Sequence, residues 1–515
     1  MAGSKQSLDV LLVNPGSRAA VYQELGDRYS AIEPPSLAGL FATYLRKRGL
    51  SVAIVDAPAL NLSPAGVAET IKDNFEPVLI VMVVYGFQPS ASTQNMTAAG
   101  ETCAAIKALR GDWRIMMTGT HPAALPERTL LEEKIDFVCD REGPETILLT
   151  ARALKARNSD FSKIPSLWYR DGKAIRSNLP GELMDDLDGE MPGVAWDLLP
   201  MEKYRAHNWH AFENIDERSP YVSIHTSLGC PYKCTFCCIN APFGKSSYRM
   251  WSPETVIQEI DLLVEKHGVK NIKFVDEMFV LNRSHVLGIC DRIIERGHDL
   301  NIWAYARVDT VKDEFLDKLA RAGFRWLALG IESGSKHVRD GVEKGRFGST
   351  EILKVVKKIQ DAGINVIGNY IFGLPDDTHE SMQETLDLAL EANCEFANLY
   401  CAQAYPGSKL YTMAVEKNWR LPDSWIGYSQ HSYETLPLRT DALTSAEVLK
   451  FRDDAFHQYF TNEAYLALVR RKFGEDVVSH IRDMTGIRLR RKLLEAGGAR
   501  KPALTAQPVS DWVTR

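Results

Sequence analysis

The sequence predicts an α/β fold in three parts: an N-terminal flavodoxin-like doubly wound parallel sheet, a partial (β/α)6 barrel, and a C-terminal helical region. Three observations carry this reading. Short β-rich runs alternate with helical patterns in two separate stretches. A Pro-, Gly-, Asp- and Trp-rich segment divides them, and 515 residues exceed what one hydrophobic core supports.

The first stretch, residues 1–155, offers five strands: Asp9–Asn14, Val52–Asp56, Val78–Tyr85, Arg114–Thr118 and Phe137–Cys139. Val78–Tyr85 (VLIVMVVY) is apolar throughout, as suits a parallel strand covered on both faces. Helical periodicity fills the gaps, as in Ser36–Arg48, which Gly49 closes at the C′ position. Ligands on such sheets bind at the carboxyl ends of strands, here Asn14-Pro15-Gly16, Tyr85-Gly86-Phe87 and Thr118-Gly119-Thr120-His121. Residues 156–220 read as an ordered connector, too aromatic for a free linker, with a hairpin signal at Arg170-Asp171-Gly172-Lys173.

Alternation resumes over residues 221–440, with strands Val222–Thr226, Ile272–Val275, Ile302–Ala306, Leu327–Ile331, Val366–Phe372 and Phe396–Gln403. Six β/α units make a barrel smaller than the eight-unit form. Ser252-Pro253-Glu254 starts a helix well: a cap, a proline at the first position and an acid in the first turn. Residues 441–495 read as amphipathic helices, and 496–515, rich in Gly, Ala, Pro and polar residues, as a disordered tail.

Composition narrows the function. The formal charge of −6 and the absence of a basic, aromatic-interleaved groove argue against nucleic acid. No apolar run reaches the roughly 20 residues of a membrane span, and no signal-peptide layout opens the chain. A cytoplasmic location is expected. Nine cysteines at irregular spacing form a poor disulfide framework and point to metal binding or buried thiols.

The sharpest signal is Cys230-Pro-Tyr-Lys-Cys234-Thr-Phe-Cys237, just after the first barrel strand. Three thiolates at C-x3-C-x2-C spacing converge on one centre and suit an iron–sulfur cluster or zinc. Structural zinc wants a second ligand pair, yet Cys290, Cys394 and Cys401 stand alone and Cys238, beside Cys237, points elsewhere. Three ligands leave one metal position open, as a catalytic site needs. The competing readings are zinc and a run of buried thiols.

The motif resembles that of the radical S-adenosylmethionine superfamily, and the resemblance runs along the barrel. It takes in Phe274-Val275-Asp276-Glu277, Ala306-Arg307-Val308-Asp309, Gly330-Ile331-Glu332-Ser333-Gly334, Ile371-Phe372-Gly373-Leu374-Pro375 and Ala404-Tyr405-Pro406-Gly407-Ser408. It implies that Cys230, Cys234 and Cys237 hold a 4Fe–4S cluster whose open iron chelates S-adenosylmethionine, with Phe236 against the adenine. Asp276, Glu277, Glu332 and Ser333 would receive the cofactor's ammonium or ribose, and Arg307 its carboxylate. Each of these could instead form a rim salt bridge or a turn. Cys401 reads as a buried thiol or a hydrogen-atom donor.

The N-terminal domain lacks the dinucleotide fingerprint: its first turn is Asn14-Pro15-Gly16-Ser17-Arg18-Ala19. Glu33-Pro34-Pro35-Ser36, Thr118–Glu127 and Arg141-Glu142-Gly143-Pro144 resemble the cobalamin-binding domains that precede many radical enzymes. The D-x-H-x-x-G motif is missing, so the resemblance implies cobalamin without a protein histidine on cobalt. The implied lining residues are Asn14, Tyr85, Thr118, Gly119, His121 and Glu142, with His121 either at the corrin or capping a turn.

Together the domains resemble the cobalamin-dependent radical methyltransferases. That implies methylation of an unactivated carbon of a small-molecule substrate, through a 5′-deoxyadenosyl radical and methylcobalamin. An electron donor such as flavodoxin or ferredoxin is the expected partner. The rivals are a cobalamin-dependent radical cyclase or rearrangement enzyme, and a non-catalytic Fe–S/corrin sensor or electron carrier. The sequence does not identify the substrate; Trp425, Tyr428, His431 and Tyr433 are expected to help close the barrel.

Overall fold

The computed structural model describes residues 5–495 except 17, 87, 89 and 346. Phe87 and Ser17, named above at strand ends, and the tail 496–515 lie outside the described residues.

The first sheet contains β1 (Gln6–Asn14), β2 (Val52–Asp56), β3 (Phe75–Val83), β4 (Ile115–Thr118), β5 (Phe137–Cys139), β6 (Leu167–Asp171) and β7 (Ala174–Ser177). Its order is β2-β1-β3-β4-β5-β6-β7, parallel through β5. This is the flavodoxin-like arrangement, with helices such as Ser36–Lys47 covering apolar strands; Gly49, at φ +80°, ends that helix as expected. The third strand begins at Phe75 rather than Val78, because Phe75, Glu76 and Pro77 pair with Gln6, Ser7 and Leu8. Pro77 is tolerated because β4 starts only opposite Ile80, leaving the proline nitrogen no ladder bond to lose. The Arg170–Lys173 signal is a hairpin with Gly172 at φ +61°, and its strands add antiparallel to β5. The first sheet therefore extends past residue 155 into the segment read as connector.

The rest of that connector enters the next domain's core. Trp209 packs edge-on to Trp303 at 5.1 Å and Trp326 at 5.5 Å, and Phe212 packs on Trp326 and Phe473. These rings close the amino end of a six-stranded parallel half-barrel: β8 (Tyr221–Ile224), β11 (Asn271–Phe274), β12 (Asn301–Arg307), β13 (Phe324–Glu332), β14 (Asn365–Phe372) and β15 (Phe396–Cys401). Two short strands, β9 (Ser227–Leu228) and β10 (Arg249–Met250), pair antiparallel and clamp the base of the cysteine loop between them. The half-barrel is open between β8 and β15. Residues near Tyr22 and Glu33 of the N-terminal domain and near Gln430 line the cavity on that side. Helices Ser445–Phe460, Glu463–Phe473 and Glu475–Gly486 follow, the first opened by a Thr444–Glu447 capping box.

Candidate active site

The cysteine loop owes its shape to residues at its ends. Gly229 takes φ +86°, and a Cβ there would stand 2.5 Å from the Ser247 carbonyl oxygen, so only glycine fits. Asp276 accepts from the Thr226 N–H, the Thr226 hydroxyl and the Ser227 hydroxyl, each at 2.6 Å. Further along, Thr235 N–H donates to Val342 O at 3.0 Å and Leu410 N–H to Thr235 O at 2.9 Å. The loop is thus stitched to the barrel rim on both sides.

Cys230, Cys234 and Cys237 line one cavity of about 250 Å³, together with Phe236, Arg307 and Glu332. Burial pushes the Cys230 thiol up to about 11 and raises Cys237 as well. Among the described residues, no three His, Cys, Asp or Glu side chains are grouped as a single-ion site. A mononuclear zinc site needs such grouping. A four-iron cluster does not, because each thiolate holds a different iron and the sulfurs stand apart. Three free thiols on one cavity wall are a donor set that fits such a cluster.

Around this cavity Arg307 makes a two-pronged contact with Asp309 at 2.9 and 3.0 Å. Its guanidinium lies 3.8 Å from the Tyr232 ring centroid and 3.6 Å from the Cys234 sulfur. Glu332 sits at a strand irregularity with φ +68° and pairs with the buried ammonium of Lys344 at 2.5 Å. Lys344, absent from the sequence reading, lines the same cavity. Glu277 lines it too and also faces a second, smaller cavity; burial lifts its carboxyl to about 7.

Two residues expected at the cofactor face elsewhere. Ser333 is fully buried; its hydroxyl meets Thr385 Oγ1 at 3.1 Å and accepts from Ser335 N–H, so it ties a turn outside the cysteine cavity. Asp276 spends its carboxylate on the loop base and borders only the second cavity.

The second cavity, of about 60 Å³, lies where the ends of β3 and β5 meet the barrel. Tyr85 and Glu142 line it, the Tyr85 hydroxyl donating to the Glu142 carbonyl at 2.9 Å. Glu142 also accepts from Arg249 at 2.6 Å and Met184 N–H at 2.8 Å, which fastens the two domains. Gly119 takes φ +149°, and a Cβ there would meet the Val84 oxygen at 2.0 Å. Thr118 is buried within the wall, and Asn14 borders a third cavity, donating to Asp56 at 2.9 Å. His121 borders none of the three cavities. It contacts Thr93 Oγ1 at 3.2 Å and packs edge-on to Trp425 at 4.3 Å, and burial pushes its imidazole down to about 3.

Fold and site together define a two-domain α/β cofactor protein, with a three-thiol barrel mouth facing the strand ends of a flavodoxin-like domain. The comparisons name both halves: residues 224–389 match the Radical SAM superfamily and residues 28–149 the B12 binding domain. The chain thus carries a B12-binding match ahead of a radical SAM match, in the order its two domains take. It is 29% identical over 423 residues to an uncharacterized methyltransferase of Pyrococcus horikoshii, covering 82% of this chain and 86% of that one. It is 26% identical to the anaerobic magnesium-protoporphyrin IX monomethyl ester cyclase of Rubrivivax gelatinosus, over 89% of this chain and 78% of the relative. Two solved structures share the fold. The radical S-adenosylmethionine methyltransferase TsrM from Kitasatospora setae, with cobalamin and a [4Fe-4S] cluster bound, matches with TM-score 0.66 at 16% identity, over 93% of this chain and all of that one. The cobalamin-dependent enzyme OxsB matches with TM-score 0.67 at 16% identity, over 93% and 71%. No helix among the described residues is long and apolar enough to cross a membrane.

Proposed function

We propose that this chain methylates an unactivated carbon of a small-molecule substrate. The observation that carries the reading is one of contiguity. Glu277 borders both the cavity that holds Cys230, Cys234 and Cys237 and the cavity that receives the strand ends of the B12-binding domain. When bound, the cluster and S-adenosylmethionine would supply a 5′-deoxyadenosyl radical, and cobalamin the methyl group.

The chain's own residues do the positioning. Cys230, Cys234 and Cys237 would hold the cluster. Glu332, anchored by Lys344, offers a carboxylate at the rim for an ammonium group. Arg307 sets a fixed positive charge beside the Cys234 sulfur. Tyr85 and Glu142 border the corrin side. The buried aromatic floor under the barrel excludes water from the amino end. A flavodoxin or ferredoxin in the cytoplasm would supply the electron.

The test is anaerobic reconstitution with iron, sulfide, cobalamin and S-adenosylmethionine, followed by product analysis. Methylation yields about four irons and one corrin per chain, with 5′-deoxyadenosine and S-adenosylhomocysteine formed together. Deoxyadenosine without S-adenosylhomocysteine points instead to the cyclase chemistry named for the Rubrivivax relative.

A further inference from the structure

The half-barrel encloses a second working space. A cavity of about 240 Å³ runs from the barrel interior, where Trp209, Trp303 and Phe396 line it, through the lateral opening past Arg18 to Asn14 and Gly16 at the end of β1. Tyr305 and Tyr400 line both this cavity and the cysteine cavity, so the two abut at those phenols.

Among the described residues, the charged side chains along this lumen are closely paired, Arg18 excepted. Glu33 and Lys273 pair at 3.1 Å, and Arg452 pairs with Asp453 at 2.8 Å. Burial holds His207 and His431 neutral by lowering both imidazoles. Arg18 is different. Among the described residues its Nε and Nη1 are buried without a hydrogen-bond partner, and its nearest carboxylate, on the exposed Asp27, stands 4.0 Å from Nη2. Behind it, outside the cavity lining, Arg205 adds a second guanidinium close enough that the two repel; its Nη2 donates to the Gly26 and Asp27 carbonyls, and its Nε is buried with no partner among the described residues. Two adjacent cations with three unused N–H groups form an incomplete site, since buried donors left unpaired carry a full desolvation penalty.

We propose that the lumen is the substrate site and that it takes an organic oxyanion with an apolar or aromatic body. The oxyanion, a carboxylate or a phosphonate, is received by Arg18 with Arg205 behind it. The body lies along the tryptophan and phenylalanine walls, which directs its far end toward Tyr305, Tyr400 and the cysteine cavity. Either oxyanion makes charge-assisted hydrogen bonds with free guanidinium N–H groups. The assignment rests on the enzyme reading above, but its test does not depend on turnover.

The experiment is calorimetric titration of the full chain with three probes that share one body: 3-phenylpropanoate, 2-phenylethylphosphonate and 3-phenylpropanamide. The oxyanions are expected to bind roughly tenfold or more tighter than the amide, the range of a charge-assisted hydrogen bond. Whichever of carboxylate and phosphonate binds tighter identifies the headgroup. Arg18→Gln should erase the preference, and Arg205→Gln should weaken it, with the unfolding temperature of each variant checked against the parent. Equal affinity for oxyanion and amide, no binding of either oxyanion, or a preference that survives in Arg18→Gln overturns the proposal. So does loss of oxyanion binding once hydroxocobalamin is added, because the lumen would then be corrin space. Absence of S-adenosylhomocysteine in the reconstituted enzyme, with the oxyanion preference intact, refutes methyl transfer and leaves this site standing.

Discussion

Lys344 Nζ stands 2.5 Å from Glu332 Oε1, with both side chains less than a tenth exposed, beside the three cysteines. A buried ion pair of this kind is costly to break on one side only. Lys344→Met strands the Glu332 carboxylate and should destabilise the fold by about 3 kcal/mol in denaturant melts. The double variant Lys344→Met/Glu332→Leu should recover most of that stability while still failing to cleave S-adenosylmethionine. Recovery of cleavage in the double variant would show that the pair is structural alone.

Alanine at Cys230, Cys234 or Cys237 should abolish both cluster assembly and cleavage of S-adenosylmethionine, read as iron content and deoxyadenosine. Cys238→Ala should keep both. Cys238 is buried beside Gly407, where a Cβ would stand 3.7 Å from the Cys238 Cβ, so its change is one of packing. Cluster retention in any of the first three variants sinks the ligand assignment.

How far the sequence reaches is visible in these same residues. Strands Val52–Asp56 and Phe137–Cys139 are legible because turn residues bound a short apolar run on each side. The first three residues of β3 are not, because Glu76 and Pro77 contradict the pattern and only pairing with β1 holds them extended. Spacing shows the cysteine triad directly. Lys344 is invisible, since a helix, Lys336–Gly341, separates it from Glu332 and only the tertiary fold joins them. The same holds for the Glu142–Arg249 and Glu33–Lys273 pairs that join the two domains. Position at a strand end marks a residue as near the rim but not which way it faces, and Ser333, read as a cofactor residue, ties a turn instead.

Arg307 is held by three geometries at once: the Asp309 fork, the Tyr232 ring and the Cys234 sulfur. Lysine keeps the charge and loses the fork and the stacking. Arg307→Lys should therefore retain iron but lower the deoxyadenosine rate by roughly tenfold or more, the scale of a lost two-pronged charged contact. An unchanged rate would reduce Arg307 to a rim salt bridge.

His210 gives a pH dependence whose sign can be worked out. Its Nε2 meets the Asn301 carbonyl at 2.9 Å beneath the barrel, and burial lowers its imidazole from 6.5 to about 3. The unfolded chain takes up a proton below pH 6.5 and the folded chain does not until about pH 3, so stability from this group is present above 6.5 and lost as the pH falls toward 3. Carboxyls such as Glu259, raised to about 7, tilt the other way and hide the effect in the parent alone. The difference between parent and His210→Gln isolates it, because the other groups cancel. In urea titrations that difference should shrink in magnitude or reverse as the pH drops from 6.5, with a slope of about 1.4 kcal/mol per pH unit in favour of the variant. A difference that stays constant from pH 7 to pH 4 would mean that His210 takes up its proton alike in the folded and unfolded chain, and the neutral aromatic floor inferred around Trp209 and Trp303 would have to be abandoned.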